Sequence, residues 1–303
     1  MCVVCGCSTP EEGKDEASHA HSPEHNHAHT HADGVTHTHD HAHDHDHAHD
    51  HAHAHGHTHE HAHPHPHEHG SVTIGGSEEV NGRVIQLSRA ILEKNDRMAE
   101  RARGIFLGRG IGALNLVSSP GSGKTTLLSR TIQMLKDRLR CAVIVGDCAT
   151  DNDARRLRET GAPAVQVTTG NVCHLDSHMV LQALEKLKLS EVELLFIENV
   201  GNLVCPSAFD LGEDLRVVLT SVTEGEDKPA KYPGIFHDAD IVLLTKTDLA
   251  EACEVDLAKA RSHIHDVAPK AQLIELSARS GAGMEQWIDA LLKLAARKQA
   301  MAM

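Results

Sequence analysis

The chain has 303 residues, a formal net charge of −14 and only 2% aromatic residues. An acidic chain without a basic patch repels a phosphate backbone, and the chain has few aromatic rings to stack on bases, so we expect no nucleic-acid partner. No stretch has the apolar run of about 18 residues that suggests a membrane span, and none resembles a signal peptide, so we expect a cytoplasmic protein with no membrane partner.

Three cysteines, Cys2, Cys5 and Cys7, lie within the first seven residues. In a reducing compartment, metal binding or core burial is a more ordinary role for a thiol than a structural disulfide. Three thiolates on a flexible chain can wrap around an ion, and the α-amino group of Cys2 adds a fourth donor if Met1 is removed. Such donors favour square-planar Ni²⁺, so we predict a tricysteine metal motif at residues 1–8.

A histidine-rich tail follows over residues 9–76. Of the 28 histidines in the chain, 23 lie between His19 and His69, and every odd-numbered residue from His37 to His69 is histidine. Large apolar side chains are almost absent, so burial cannot offset the entropy of ordering the backbone, and we expect disorder. Imidazoles with an intrinsic pKa of about 6.5 are mostly neutral at pH 7 and form a reservoir of weak metal sites that empties as pH falls.

Residues 77–303 have the pattern of one α/β domain. Apolar residues at helical spacing from Val80 to Ile105 predict a long helix that ends near Gly108 or Gly110. Short apolar runs then alternate with amphipathic segments, which is typical of a doubly wound, mostly parallel sheet with helices on both faces. The predicted strands are 113–118, 142–147, 164–169, 194–200, 217–223, 241–248 and 273–278, and the predicted helices are 124–139, 151–160, 172–188, 252–267 and 283–298.

The first of these strands runs into the sequence SSPGSGKTT, residues 118–126, and then into a helix. This is the context of a phosphate-binding loop, in which backbone N–H groups surround the β-phosphate. We expect Lys124 to contact the β- and γ-phosphates and Thr125 to bind Mg²⁺, although Ser118 stands where the pattern has its first glycine. The predicted nucleotide-binding residues here are Pro120, Gly121, Ser122, Gly123, Lys124, Thr125 and Thr126.

A second motif, TKTD at residues 245–248, indicates which base is bound. Asp248 can accept two hydrogen bonds from the N1–H and the exocyclic amine of guanine, which adenine does not supply. Lys246 would lie across the base plane, and Thr245 stands where GTPases usually have Asn. The segment SAR at 277–279 resembles the loop whose backbone contacts guanine O6, so we predict a P-loop GTPase with base contacts from Lys246, Asp248, Ser277 and Ala278.

The segment LLFIENVGN lies between these motifs, at the place of a GTPase switch. Glu198 would reach Mg²⁺ or its water, and the N–H of Gly201 would register the γ-phosphate. Asp147 is the candidate for orienting the attacking water or joining the Mg²⁺ shell; Asp151 and Asp153 are alternatives, although helix capping is their more ordinary role. The predicted catalytic residues are Lys124, Asp147, Glu198 and Gly201, and the predicted Mg²⁺ ligands are Thr125, Asp147 and Glu198.

Cys173 and His174 are adjacent ligands that suit Ni²⁺ or Zn²⁺. Cys205 lies four residues after Gly201, in the segment expected to move with the γ-phosphate. If the three share an ion, a change in the switch would alter its coordination, and hydrolysis could load or release metal. His178 is a further candidate ligand, one helical turn after His174. The remaining cysteines lie in or beside apolar runs and are interpreted as small core residues: Cys141, Cys148 and Cys253.

Taken together, these motifs resemble those of the HypB family, the nickel-incorporation GTPases of [NiFe]-hydrogenase maturation. The resemblance rests on the MCVVCGC start, the histidine tract, SPGSGKTTLL, GDCATDNDA, CHLD, ENVGNLVCP and the TKTD loop. It implies a nucleotide-dependent homodimer, a nickel site at Cys2, Cys5 and Cys7, and a Ni/Zn site at Cys173, His174 and Cys205. It also implies three partners: a HypA-type nickel chaperone, in some organisms a SlyD-type prolyl isomerase, and the precursor of the hydrogenase large subunit.

The predicted function is that of a GTP-hydrolysing nickel metallochaperone that uses GTP/GDP, Mg²⁺, Ni²⁺ and Zn²⁺, with a slow intrinsic turnover on the order of 10⁻⁴ to 10⁻² per second. A nickel storage or detoxification protein with a vestigial GTPase would explain the tail equally well. A P-loop kinase or ATPase would instead turn over ATP. The urease nickel-insertion GTPase is a sibling whose metal motif reads Cys-Pro-His, whereas Cys173 and His174 are consecutive here.

Overall fold

The computed structural model of the chain describes residues 27–30, 36–39 and 77–302. The tricysteine motif at residues 1–8 lies outside them. In the tail, β1 (His27–Thr30) and β2 (Thr36–His39) pair antiparallel, with Thr30 opposite Thr36. This pair belongs to a unit spanning residues 10–75, whereas residues 77–302 belong to a second unit. The predicted disorder of residues 9–76 is not decided by one short pair of strands and stays a prediction.

A single helix of 33 residues, α1 (Ser77–Arg109), begins the second unit. The N–H of Gly110 bonds to the carbonyl oxygen of Leu107, and the N–H of Ile111 bonds to that of Phe106. Gly110 has a φ of +66°, which glycine adopts without the cost of a Cβ. This pair of bonds around a left-handed glycine is a Schellman motif, and it ends the helix where the sequence predicts.

Seven strands form the sheet of this unit, and every neighbouring pair in it is parallel. The strands are β3 (Gly112–Ser118), β4 (Cys141–Asp147), β5 (Ala164–Thr168), β6 (Leu194–Glu198), β7 (Leu215–Ser221), β8 (Ile241–Thr245) and β9 (Gln272–Glu275). Their order across the sheet is β5-β4-β6-β3-β7-β8-β9. The predicted parallel sheet is therefore confirmed.

Helices cover both faces of the sheet, as the prediction of a doubly wound fold requires. The helices after α1 are α2 (Lys124–Leu135), α3 (Asn152–Arg158), α4 (Ser177–Leu184), α5 (Lys228–Lys231), α6 (Pro233–His237), α7 (Leu257–Val267) and α8 (Met284–Ala302). Alternate strand residues belong to different cores. Leu114 and Leu116 pack with α2, α3 and α8, whereas Ala113 packs with α1 and α4, and Val117 packs with α6 and α7. Among the described residues, no helix has the length and apolar character needed to cross a membrane.

Several predicted boundaries were wrong at the ends of elements. Predicted helix 172–188 begins five residues later, at Ser177, because the Asp176 side chain accepts from the N–H of Met179 and caps α4 there. The predicted strands 194–200, 217–223, 241–248 and 273–278 are shorter at their carboxyl ends, at Glu198, Ser221, Thr245 and Glu275. The residues beyond those ends are loops, and they form the sites described below.

The interpretation of three cysteines as core residues holds for one of them. Cys141 is buried at the start of β4, and burial raises the pKa of its thiol to about 12. Cys148 and Cys253 are exposed, so that interpretation was wrong for both. Cys148 comes directly after the end of β4, and Cys253 lies in the turn after β8, where the flanking apolar run no longer determines burial.

Candidate functional site

The loop between β3 and α2 has the backbone of a phosphate-binding loop. Gly121 and Gly123 have φ values of +77° and +101°, so both positions favour glycine, and Gly123 directly precedes α2. The ammonium group of Lys124 donates to Ser118 Oγ at 2.8 Å. Burial lowers the pKa of Lys124, and the charge of Glu198 opposes this effect. The loop therefore aims a buried cation and the N-terminal N–H groups of a helix at one place, as anion binding requires.

Ser118, which replaces the usual first glycine, takes part in this arrangement. Its hydroxyl accepts hydrogen bonds from Lys124 and Ser122 and donates to the carbonyl oxygen of Ser119 at 2.7 Å. The side chain is fully buried. Ser118 thus gives the lysine a hydrogen-bond acceptor inside the loop.

Thr125 and Glu198 form a pair of oxygen donors beside the loop. Thr125 Oγ1 donates to Glu198 Oε1 at 2.8 Å, and the other carboxylate oxygen of Glu198 is buried with no hydrogen-bond partner among the described residues. Burial raises the pKa of Glu198 to about 7, against the opposing charge of Lys124 and the hydrogen bond from Thr125. A buried, unpartnered carboxylate oxygen next to a hydroxyl suits a hard cation, so these residues fit Mg²⁺.

The carboxyl group of Asp147 is bonded to the loop that follows it. Its Oδ1 accepts from the N–H of Thr150 at 2.7 Å and of Ala149 at 2.9 Å. Partial burial acts to raise the pKa of Asp147, but these bonds outweigh it and hold the pKa below its ordinary value. Asp147 is therefore an ionised carboxylate at the end of β4, and its predicted role towards water or Mg²⁺ stays a prediction.

Of the two alternative aspartates, Asp153 lies nearer the phosphate loop. Its charge acts on both Lys124 and Glu198, where it raises the pKa values. It also pairs with Arg156 at 3.7 Å. Asp151 instead pairs with Arg158 at 3.1 Å and occupies the residue before α3 without a side-chain capping bond. Asp153 is therefore the aspartate of the two whose charge acts on both Lys124 and Glu198, and its role in the site stays a prediction.

A cavity of about 250 Å³ lies between the phosphate loop and the ends of β8 and β9. The hydroxyl of Thr245 donates to the carbonyl oxygen of Ser122 at 2.9 Å, and Lys246 Nζ donates to that of Gly121 at 2.7 Å. Thr245 therefore ties the base loop to the phosphate loop from the position usually held by Asn. Residues predicted to bind nucleotide that line the cavity are Ser122, Gly123, Thr126, Lys246, Asp248, Ser277 and Ala278.

Gly201 lies against the phosphate loop. A Cβ at this position would come within 3.0 Å of both the Cα and the backbone nitrogen of Pro120. A contact of this length is tighter than nearly all real Cβ contacts, and the neighbour is backbone that would have to shift, so the close approach favours glycine. The backbone of the predicted switch thus reaches the loop that contacts phosphate, while its response to the γ-phosphate stays a prediction.

Cys173, His174 and Cys205 come together in a second site. Their ligand atoms all lie within 4.8 Å of one another. The two sulfur atoms are 2.9 Å apart, well beyond the roughly 2.05 Å of a disulfide. His174 is buried and stacked on Phe209 with ring centroids 3.9 Å apart, and its Nδ1 has no hydrogen-bond partner among the described residues. Burial lowers the pKa of His174, with Asp176 opposing, so its imidazole is neutral and able to bind a metal ion.

The structure does not bring His178 into this cluster. His178 is exposed and lines a groove between α1 and α4, beside Met98 and Ile105. The predicted helical spacing from His174 does not apply, because α4 begins only at Ser177. The described cluster therefore has three protein ligands, of the thiol and imidazole types that suit Zn²⁺ and Ni²⁺.

Two asparagines that the sequence reasoning missed join the two sites. The Oδ1 of Asn199 accepts from the N–H groups of Leu175 and Val200, both at 3.0 Å. Asn202 Nδ2 donates to the carbonyl oxygen of Cys173 at 3.4 Å. The sequence does show a polar residue, Asn199, directly after a buried strand, but it does not show that Leu175 is its partner.

Comparisons with known proteins agree with this geometry. Residues 113–275 match the family described as CobW/HypB/UreG, nucleotide-binding domain. The chain is 55% identical over 206 residues to the hydrogenase maturation factor HypB of Azotobacter chroococcum mcd 1, and the match covers 68% of each chain. This chain belongs to the HypB family. The phosphate loop and the Cys-His-Cys cluster of this HypB-family chain lie within the matched residues, whereas α1 precedes them.

Two solved structures are similar to this HypB-family chain. The hydrogenase maturation factor HypB from Archaeoglobus fulgidus has a TM-score of 0.64 at 41% identity, and the match covers 67% of this chain and 99% of that one. HypB from Helicobacter pylori in complex with nickel has a TM-score of 0.65 at 39% identity, covering 67% of this chain and 96% of that one. Both matches confirm the fold.

Proposed function

We propose that this protein is a GTP-hydrolysing nickel metallochaperone, which stores Ni²⁺ and delivers it for [NiFe]-hydrogenase maturation in the cytoplasm. One observation carries the proposal: only six residues lie between Glu198 in the nucleotide site and Cys205 in the Cys-His-Cys cluster. Gly201, between them, touches the phosphate loop. Chemistry at the phosphates and coordination of an ion thus involve one short segment.

In this proposal, the phosphate loop binds the nucleotide through its backbone N–H groups and Lys124. Thr125 and Glu198 would hold Mg²⁺, and the bound ion would neutralise charge on the β- and γ-phosphates. Asp147, or Asp153 in its place, accepts a hydrogen bond from the attacking water and orients it. The predicted catalytic residues include only one cation, Lys124, to stabilise charge on the γ-phosphate. Turnover is therefore slow, as in unassisted GTPases.

The bound base is guanine, because the carboxylate of Asp248 lines the cavity and can accept hydrogen bonds from this base. The carboxylate of Asp248 accepts from the N1–H and the exocyclic amine, while the alkyl chain of Lys246 covers one face of the ring. Backbone N–H groups of Ser277 and Ala278 contact O6. ATP offers no donor pair to Asp248, so a P-loop ATPase or kinase is disfavoured.

Nickel is the cargo of the second site. The relative from Helicobacter pylori is a HypB in complex with nickel, which supports nickel as the cargo. We assign this ion to Cys173, His174 and Cys205 because their ligand atoms lie close together. Zn²⁺ suits the same donors. We assign capture and storage to the tail, through Cys2, Cys5 and Cys7 and through the histidine tract. Transfer then proceeds from a homodimer to a HypA-type chaperone, assisted in some organisms by a SlyD-type prolyl isomerase, and to the hydrogenase large subunit.

Nickel transfer from the purified protein to a recipient apo-hydrogenase precursor tests the proposal. Lys124→Ala removes the phosphate contact and is expected to abolish GTP-dependent transfer while the protein still binds nickel. Undiminished transfer by this variant would support the alternative of a storage or detoxification protein with a vestigial GTPase. Transfer to a urease precursor instead of the hydrogenase precursor would support the sibling function.

A further inference from the structure

Asn95 lies inside α1 and is 6% exposed. A buried side-chain amide has two donor hydrogens and two acceptor lone pairs, and each needs a partner. The partners of Asn95 lie 82 and 115 residues away along the chain, at Ser177 and Asp210. Asn95 therefore joins two segments that the sequence keeps far apart.

The first of these contacts fixes the start of α4. The Oδ1 of Asn95 accepts from the N–H of Ser177 at 2.9 Å, and the hydroxyl of Ser177 donates to the backbone oxygen of Asn95 at 2.6 Å. A helix cannot satisfy its first N–H groups internally, so this bond supplies one of the missing partners. Ser177 follows His174 by three residues. The chain that carries Cys173 and His174 is thereby anchored to α1.

The second contact fixes the chain that follows Cys205. The Nδ2 of Asn95 donates to the carbonyl oxygen of Asp210 at 2.8 Å. Asp210 follows Phe209, whose ring stacks on His174 at 3.9 Å. The same amide thus holds the backbone next to the ring that orients the histidine.

Two further features hold this segment against α1. Arg103 donates to both carboxylate oxygens of Asp210, at 3.0 and 2.8 Å. A Cβ at Gly212 would lie 2.6 Å from the carbonyl oxygen of Ala99, and Gly212 has a φ of +82°. The loop therefore packs on the helix with no space for a side chain.

We propose that Asn95 is a positioning residue for the Cys173–His174–Cys205 metal centre, and that α1 is part of its scaffold although it precedes the nucleotide-binding domain. The inference rests on the proposed function, because it takes this cluster to bind the ion. Removing one partner of a metal site's outer hydrogen bonds typically weakens metal binding ~10- to 100-fold. Substitution of Asn95 removes hydrogen bonds to both segments that carry the ligands, so the loss of metal affinity should reach this range.

Cobalt(II) titration of the full chain tests the inference. The parent protein for this experiment carries Cys2→Ser, Cys5→Ser and Cys7→Ser, so that the thiolate-to-cobalt absorption band reports on the internal cluster. Adding Cys205→Ser to this parent shows whether the band arises from that cluster. Asn95→Leu is the test variant. Thr131→Val is the matched control, because it removes an equally buried hydrogen bond, from Trp287 at 2.9 Å, between α2 and α8.

We expect Asn95→Leu to raise the cobalt concentration at half-saturation ~10- to 100-fold. Thr131→Val should match the parent in cobalt affinity, and Asn95→Leu and Thr131→Val should both bind GTP as the parent does. Equal cobalt affinity in Asn95→Leu and the parent, or equal losses in Asn95→Leu and Thr131→Val, would overturn the positioning role. A band of unchanged intensity in Cys205→Ser would instead overturn the proposed metal centre itself, because one of its two thiolates has been removed. If Asn95→Leu fails to fold, Arg103→Met takes its place, and an unchanged cobalt affinity in that variant would overturn the inference.

Discussion

The backbone N–H of Leu175 donates a hydrogen bond to Oδ1 of Asn199 at 3.0 Å, and both residues are buried. Leu175 follows His174 directly, and Asn199 follows Glu198 directly. One buried hydrogen bond thus joins the metal cluster to the pair proposed to bind Mg²⁺. If the switch has two arrangements, this bond lets ligand binding at either site change the equilibrium between them, as coupling between two sites requires.

We therefore predict that Asn199→Ala uncouples the two sites. The N–H of Leu175 loses its acceptor, which should lower the free energy of unfolding by about 1–3 kcal/mol. Any difference in metal affinity between the GTP and GDP forms, roughly 5- to 150-fold for a coupled pair, should disappear. Isothermal titration calorimetry with metal, carried out on the GTP-bound and the GDP-bound protein, measures this difference in affinity. Asn202→Ala is the control, because its bond to Cys173 is longer, at 3.4 Å; an equal loss in both variants would contradict the special role of Asn199.

Gly201→Ala should impair binding of GTP more than binding of GDP. Its Cβ would meet the backbone of Pro120 at 3.0 Å and push the switch away from the phosphate loop. We expect GTP affinity to fall at least about tenfold, the equivalent of 1.4 kcal/mol, with GDP affinity nearly unchanged. Fluorescent-nucleotide titration measures both. Gly104→Ala is a neutral control, since no atom outside the chain neighbours and the local backbone of the helix lies within 4 Å of the added methyl. Identical GTP affinities in both variants would contradict the contact.

Asp248→Asn should change which base is bound. The amide replaces one acceptor by a donor, so guanine loses a hydrogen bond to a charged group worth about 1.5–3 kcal/mol, and xanthine, with a carbonyl in place of the amine, gains one. Competition of GTP, xanthosine triphosphate and ATP against a labelled nucleotide tests this. A parent protein that prefers ATP would contradict the assignment of Asp248.

The buried carboxyl of Glu198 makes stability depend on pH. Because its pKa is raised from 4.5 to about 7, the folded protein keeps a proton that the unfolded chain releases in this interval. The free energy of unfolding of the protein without nucleotide or metal should therefore fall as pH rises from about 4.5 to 7. At 1.36 kcal/mol per pKa unit, the loss is on the order of 3 kcal/mol.

Glu198→Gln should remove this component. The difference in unfolding free energy between parent and variant should change between pH 4.5 and 7 and level off on either side, as urea denaturation in a chelating buffer can measure. A difference that is constant from pH 4 to 8 would show that folding does not shift the pKa of Glu198. Thr125→Val serves as a control that breaks the 2.8 Å bond to Glu198 without removing the carboxyl group.

The sequence predicts those parts of the two sites whose residues are close together along the chain or follow the ends of neighbouring strands. The phosphate loop is contiguous, so Lys124 and Thr125 could be assigned from spacing, and parallel strands bring the ends of β6 and β8 to one edge of the sheet. Cys173 and Cys205 follow strands whose ends share that edge, which is why their clustering was predictable. Strand ends were overestimated, since an apolar run does not show where pairing stops.

Contacts that depend on distant parts of the chain could not be predicted. Asn95 reaches Asp210 across 115 residues, and nothing in the local pattern of α1 marks it as more than a polar interruption. His178 was misjudged because the spacing rule for a helix was applied before the residue at which α4 begins. Cys148 and Cys253 were misjudged because their neighbours in sequence are apolar, whereas their neighbours in space are loops and solvent.

The central claim is that the phosphate-contacting segment and the Cys173–His174–Cys205 cluster respond to one another. Nickel transfer from the full chain to an apo-hydrogenase precursor, compared with GTP, with GDP and with a non-hydrolysable GTP analogue, tests it most directly. We predict transfer with GTP only, with nickel retained in the analogue-bound protein, and no such nucleotide dependence in Cys205→Ser. Equal transfer under all three conditions would contradict the account.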